Sequence, residues 1–215
     1  MFDYRSYIEK YLKDGDKILD ICVGADEYSL YFVRKGYEVS ALELTDATIA
    51  AFKKKLTLED KIDLVQGNVL DLSRYADKSF DIVLLFGPLY HLKNYADKQK
   101  CISEAKCVCK DGGKIFFAFI SNDLVFLTEF AYDVNYFNNG DYDKETFKLN
   151  AFLFVFHTVG SARKLLADGG INILHEVTFD GANELLAARF NEMSDKDYTQ
   201  YLRHHFYICE KSEQV

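Results

Sequence analysis

The sequence predicts an α/β fold: a doubly wound, mostly parallel sheet flanked by helices. Three observations carry that expectation. Apolar runs of strand length alternate with helical patterns from Lys17 to Ile120. The run FDIVLLF at 80–86 is almost continuously apolar, as a strand covered on both faces must be. Finally, KILDICVGADEYSLYFVRKGYEVSALEL at 17–44 reads as strand, turn, helix, strand, and Glu43 closes the second strand 19 residues after Gly24. That spacing is the layout of a nucleotide-binding βαβ unit. The turn approaches the ligand, and the distal carboxylate takes its two ribose hydroxyls.

Each element follows from local pattern. Phe2–Lys13 predicts an amphipathic helix with Tyr4, Tyr7, Ile8 and Tyr11 on one face, stopped by Asp14-Gly15. Strand one is Lys17–Cys22. The next helix spans about Glu27–Lys35 and ends at Gly36. Strand two is Tyr37–Glu43. Thr45 or Asp46 caps a helix through Lys55. Strand three is Ile62–Gln66 and strand four is Phe80–Phe86. A helix over Tyr95–Cys109 leads through Asp111-Gly112-Gly113 into strand five, Lys114–Ile120. Asp20, Gly24, Glu43, Asn68 and Phe86 all fall at the carboxyl ends of strands, the edge where doubly wound sheets bind ligands.

After Ser121 the pattern loosens. Residues 121–157 are aromatic and acidic, and they read as an insertion forming a wall or lid over the pocket, or else as an extra hairpin or helix pair on the sheet. A helix at Ser161–Ala167 leads through Gly169-Gly170 to strand six, Ile171–Phe179. Helices over Ala182–Phe190 and Asp195–Tyr207 close the chain. Only a short polar segment, 208–215, then remains, so the reading is either a sheet without its seventh strand or a shortened chain, and strand six, if left as an edge, is able to pair with another subunit. The whole chain, 1–215, reads as one domain.

The turn is not the G-x-G-x-x-G of a dinucleotide site. It better resembles the D-x-G-x-G-x-G motif of class I S-adenosylmethionine-dependent methyltransferases. Asp20 matches the acid and Gly24 the central glycine, while Cys22 and Asp26 replace the outer two. Two more segments are similar to that family, VQGNVLDLSRYADKSFDIVLLFGPLYHL and EAKCVCKDGGKIFFAFIS, so the resemblance covers roughly Asp16 to Phe179. GPLYHL resembles a bacterial subgroup of small-molecule methyltransferases. The resemblance implies a Rossmann-like sheet, S-adenosylmethionine as cofactor, and a small-molecule acceptor. It implies that Glu43 binds the ribose, Leu44 packs on the adenine, Asn68 takes the adenine amino group and Val69 covers the base. Phe86 and Gly87 would line the methionine end, with Tyr90 and His91 facing the acceptor, and Tyr28 with one of Tyr4, Tyr7 or Tyr11 would close over the cofactor. His91 is the expected base where the acceptor must lose a proton, because its ordinary pKa lies near neutrality.

Composition limits the alternatives. A net charge of −8 argues against a general nucleic-acid binder. No apolar run reaches membrane-spanning length and no signal peptide is visible, so a cytoplasmic protein is expected. Five cysteines without a paired framework read as reduced thiols, and Cys107-x-Cys109 has too few ligands for a metal. Two other readings stay open. One is a non-catalytic or weakly active relative whose Cys22 and Asp26 impair cofactor binding. The other is an NAD-dependent oxidoreductase, which the missing glycines oppose.

Overall fold

The computed structural model describes residues 4–24, 27–121, 142–143, 148–149, 154–178 and 204–211. The element order is α1 (Tyr4–Glu9), β1 (Lys17–Ile21), α2 (Glu27–Arg34), β2 (Glu38–Glu43), α3 (Asp46–Lys53), β3 (Ile62–Gln66), β4 (Phe80–Leu85), α4 (Pro88–His91), α5 (Tyr95–Val108) and β5 (Cys109–Ile120). There follow β6 (Tyr142–Asp143), β7 (Lys148–Leu149), α6 (Val159–Asp168), β8 (Ile171–Thr178) and β9 (His204–Lys211).

The main sheet has seven strands in the order β3-β2-β1-β4-β5-β9-β8. Strands β1 to β5 are parallel, with β1 at the reversal of direction. Strand β9 runs antiparallel between β5 and β8. This is the class I methyltransferase fold.

The period-2 alternation of the strands divides the core. Leu19, Ile21, Val83, Leu85, Ile115 and Phe117 face α5 and α6, where Cys101, Ile102, Ala105 and Leu165 pack on them. Ile18, Ile82, Leu84 and Phe116 face the opposite way, onto Ile8 of α1 and Phe32 of α2. Adjacent phenylalanines on β5 therefore fill different layers. Truncating either to alanine would cost roughly 3–5 kcal/mol.

Local signals set most boundaries. Thr45 is the N-cap of α3, its hydroxyl accepting from Thr48 N. Gly36, at φ 92°, lets the chain leave α2 and turn into β2. Thr158 caps α6 by accepting from Ser161 N.

The expected absence of a seventh strand is wrong. Residues 204–211 form β9, so the first four residues of that strand replace the end of the helix expected over Asp195–Tyr207. Phe206, Tyr207 and Ile208 suit a strand, and β9 completes the ladders of both β5 and β8. Strand β8 still lies at the sheet edge, with β9 as its one neighbour among the described residues. The first helix is also shorter than its apolar stripe suggests. Tyr11 N donates to Ile8 O and Leu12 N to Glu9 O, three-residue bonds that tighten and end it. A one-turn helix at Pro88, which the sequence reading missed, follows β4 with its proline in the first turn. The helix expected over Ala182–Phe190 and most of the 121–157 insertion lie outside the described residues.

Candidate functional site

Strands β1, β2 and β4 end side by side: Asp20 is in register with Ala41 and Leu84, and Ile21 with Leu42 and Leu85. The candidate site is built at these ends, from the turn after β1, the acid closing β2 and the aromatic residues after β4.

Glu43 is 7% exposed, and its carboxylate is partly engaged by the backbone. Oε1 accepts from Leu44 N at 2.9 Å and from Thr45 N at 3.1 Å. Those two amides hold the side chain in place at the head of α3. Oε2 has no hydrogen bond among the described residues, so one oxygen stays available to ligand hydroxyls. Next to it Leu44 is 57% exposed, an apolar surface flanking the acid. Val69 is buried and packs into the core. Asn68 is exposed, and its Oδ1 accepts from Leu70 N at 2.9 Å, shaping the turn after β3 while keeping a second lone pair. Sequence position alone does not separate those two uses.

Asp20 is 2% exposed and accepts from the Ser29 hydroxyl of α2 at 2.6 Å. Burial pushes its carboxyl up to about 6, against the lowering effect of Ser29, and Glu43 adds to the rise. This link ties β1 to α2 and sets the path of the turn between them. Ser29 carries no signal in the sequence reading.

In that turn, Cys22 has φ 63° and Gly24 φ 49°. Cys22 thus keeps the left-handed backbone that favours glycine, at a cost of roughly 1–2 kcal/mol. Its side chain fills the space over Gly87: a Cβ on Gly87 would lie 2.8 Å from Cys22 Cβ. The glycine missing from the turn is matched by one after β4, a pairing across 65 residues of chain that no local pattern reveals. Burial pushes the Cys22 thiol up to about 12, with Glu43 and Asp20 adding to the rise, so it stays protonated. Asp26 lies outside the described residues.

Aromatic rings stand beside the turn. Tyr28 meets Phe86 edge-on, with centroids 4.9 Å apart, and Tyr4 lies 6.4 Å from Tyr28. Of the three N-terminal tyrosines considered as a cover, Tyr4 is the one beside Tyr28. Tyr11 packs on Phe116 and His175, and Tyr7 lies under Lys10 Nζ. The Tyr90 hydroxyl donates to Phe86 O at 2.5 Å. Burial pushes Tyr90 up to about 12 and Tyr4 further still. His91 sits exposed at the end of α4, its ring 5.0 Å from both Tyr90 and Phe154.

A buried pair supports this edge from behind. Lys98 and His157, each 6% exposed, bring Nζ and Nε2 to 2.8 Å. The ammonium can only donate, so Nε2 accepts and the ring is neutral. Burial and the adjacent ammonium push His157 down to about 3. The segment around it is stitched on both sides: His157 N donates to Ile120 O, and Val155 N to Tyr90 O.

Among the described residues no group of three or more His, Cys, Asp or Glu is placed to hold a metal, and no helix is long and apolar enough to cross a membrane.

Asp20, Cys22, Glu43, Asn68, Phe86 and Tyr90 lie within one stretch. Residues 19–117 match the methyltransferase domain family. This stretch is similar to a methyltransferase domain. Relatives include a putative ribosomal RNA large subunit methyltransferase of Methanocaldococcus jannaschii, 29% identical over 93 residues, covering 40% of this chain and 24% of the relative. A demethylmenaquinone methyltransferase of Clavibacter sepedonicus is 29% identical over 121 residues, covering 56% of this chain and 47% of the relative. The chain therefore spans about a quarter to a half of the length of these relatives. Among solved structures, a SAM-dependent methyltransferase of Methanosarcina mazei superposes with a TM-score of 0.68 at 19% identity, covering 97% of this chain and 98% of the other. That likeness concerns the fold.

Proposed function

We propose that this chain is a cytoplasmic methyltransferase that uses S-adenosylmethionine and a small-molecule acceptor. The observation that carries the reading is Glu43, whose Oε1 is held by two backbone amides and whose Oε2 remains for a ligand. The fit extends beyond it. Exposed Leu44 offers apolar surface for a base, and Asn68 keeps acceptor capacity. Gly24 and the left-handed Cys22 bend the backbone of the turn, above a satisfied Asp20. In this reading Tyr28 and Phe86, in edge-on contact, line the methionine end.

When bound, S-adenosylmethionine supplies an activated methyl group on a sulfonium. The residues then have to orient the acceptor and exclude water. Half-buried Tyr28, Phe86 and Tyr90 present π faces, which suit a cation. In this reading His91 is the base for acceptors that must lose a proton, with Tyr90 beside it. Tyr90 holds its own proton firmly, which fits a positioning role better than proton transfer. The acidic net charge favours a small acceptor over a polyanion such as RNA. Free thiols at Cys22, Cys101, Cys107 and Cys109 agree with a reducing compartment.

The test is calorimetric titration with S-adenosylmethionine and S-adenosylhomocysteine, with NAD as control. Micromolar binding of both sulfur ligands is expected. Glu43→Gln keeps an acceptor for the Leu44 and Thr45 amides but removes the charge, and should weaken both ligands about tenfold or more. No binding of either, or tighter binding of NAD, would sink the proposal.

A further inference from the structure

A cavity of about 480 Å³ opens at the amino ends of β1, β4 and β5, the opposite edge of the sheet from Glu43. The chain leaving α1 lines it with Lys10 and Lys13, and the start of β5 lines it with Lys110, Gly112 and Lys114. A bulge builds the β5 part. Phe80 pairs with Cys109 and Ile82 with Lys114, so residues 110–113 leave the ladder between β4 and β5. The bulge folds back onto β4, where Lys110 Nζ donates to Asp81 Oδ1 at 2.8 Å and Oδ2 at 2.7 Å. Gly112 turns it at φ 75°, and a Cβ there would meet no atom within 4 Å. The tip of the bulge therefore borders open space, in a cavity of the size that holds a small ligand.

The charges around this cavity do not cancel. Asp16, Asp81 and Asp111 also line it. Asp81 is answered by Lys110 and by Lys17 N, and Asp111 by Lys78, which lies outside the cavity. Lys114 donates to Gly112 O at 2.6 Å and stands in register with Glu210 of β9. Setting each of these lysines against its acid still leaves Lys10 and Lys13 facing one carboxylate, Asp16, which accepts from Lys13 N. Neither Lys10 nor Lys13 joins an ion pair among the described residues, and Lys10 Nζ rests over the Tyr7 ring instead. The chain as a whole is acidic, at −8. Charges more than about 8 Å away are largely screened at physiological ionic strength, so the nearby lysines set the local field.

We propose that this cavity binds a phosphoryl group, inorganic or on a small ester, between Lys10 and Lys13 on one side and the 110–114 bulge of β5 on the other. A phosphoryl dianion draws both unpaired ammonium groups at once, whereas a monocarboxylate balances only one. The site is separate from the one built at Glu43 and does not rest on the methyltransferase reading.

Inorganic phosphate, glycerol 3-phosphate and acetate test this. Each is titrated into the isotope-labelled full chain at constant ionic strength, and the amide resonances of Gly112 and Gly113 are followed by NMR. The phosphates should shift both amides saturably and bind about fivefold or more tighter than acetate. Tighter binding of the ester assigns an organic phosphate, and equal or tighter binding of inorganic phosphate assigns the free ion. Lys10→Gln and Lys13→Gln should each weaken phosphate about threefold or more, the size of one exposed ion pair. Lys53→Gln, at the end of α3 and outside the cavity, should leave it unchanged. All three lysines are exposed, and the melting temperature of each variant checks that it is folded. Absent shifts at Gly112 and Gly113, acetate binding as tightly as phosphate, or equal effects of all three variants would overturn the proposal. S-adenosylhomocysteine binding, read separately, is unaffected by that outcome.

Discussion

Cys22 and Gly87 should be energetically coupled, and the coupling can be worked out from the turn. Cys22 sits at φ 63°, which costs a non-glycine residue roughly 1–2 kcal/mol. Cys22→Gly removes that cost but loses a half-buried side chain worth about 1 kcal/mol and gains unfolded-state freedom worth about 0.5–1 kcal/mol. The single substitution should therefore change stability by no more than about 1 kcal/mol. Gly87→Ala alone places a Cβ 2.8 Å from Cys22 Cβ and 3.6 Å from Sγ. Neither atom is the far end of a flexible chain, so the clash should cost about 1–3 kcal/mol. In Cys22→Gly the nearest remaining atom is the carbonyl oxygen of residue 22, at an ordinary 3.8 Å. Any backbone cost of alanine at φ −142°, ψ −51° enters both backgrounds and cancels. A double-mutant cycle by urea unfolding, with equal m-values, should give a favourable coupling of about 1–3 kcal/mol. Additivity within about 0.5 kcal/mol would refute the packing argument, because the two residues would then not be competing for one space.

Two further outcomes follow from buried groups and from the sheet. His157 has its pKa lowered from 6.5 to about 3, so its contribution to stability is present above pH 6.5 and is lost as pH falls toward 3. Asp20 is raised from 3.8 to about 6, so its contribution is favourable below about pH 4 and is lost as pH rises through 6. The two oppose each other, each by a few kcal/mol at most. Asp20→Asn should therefore steepen the loss of stability between pH 6.5 and 4, and His157→Gln should flatten it. Parallel curves for both variants in denaturant titrations would contradict the assignments. Removing residues 204–215 should expose the edges of β5 and β8 and give an aggregating or insoluble chain, because β9 completes the ladders of both. A monomeric, cooperatively folding truncation by size exclusion and melting would show that β9 is dispensable.

Elements with strong local patterns were legible in the sequence. FDIVLLF could only be a doubly covered strand, and β3 begins at Ile62 and ends at Gln66 as its pattern predicts. The position of Glu43 at the end of β2 was legible because a strand end and a set distance from the turn glycine coincide there. The last strand was not. HHFYICEK continues a plausible helical stretch, and only its pairing with β5 and β8 makes it a strand. Pro88–His91 was too short for any periodic signal.

The sequence by itself determined the fold class, the edge of the sheet where the candidate residues gather and the acid that closes β2. These depend on residue spacing within one or two elements, and spacing is a property of the chain. Tertiary structure alone decided which N-terminal tyrosine stands beside Tyr28, why Cys22 is tolerated and what holds Tyr90 in place. Those answers come from residues far apart in the chain, Gly87 beneath Cys22 and the Lys98–His157 segment behind α4. Close packing fills each space once, and which side chain fills it depends on how the layers meet.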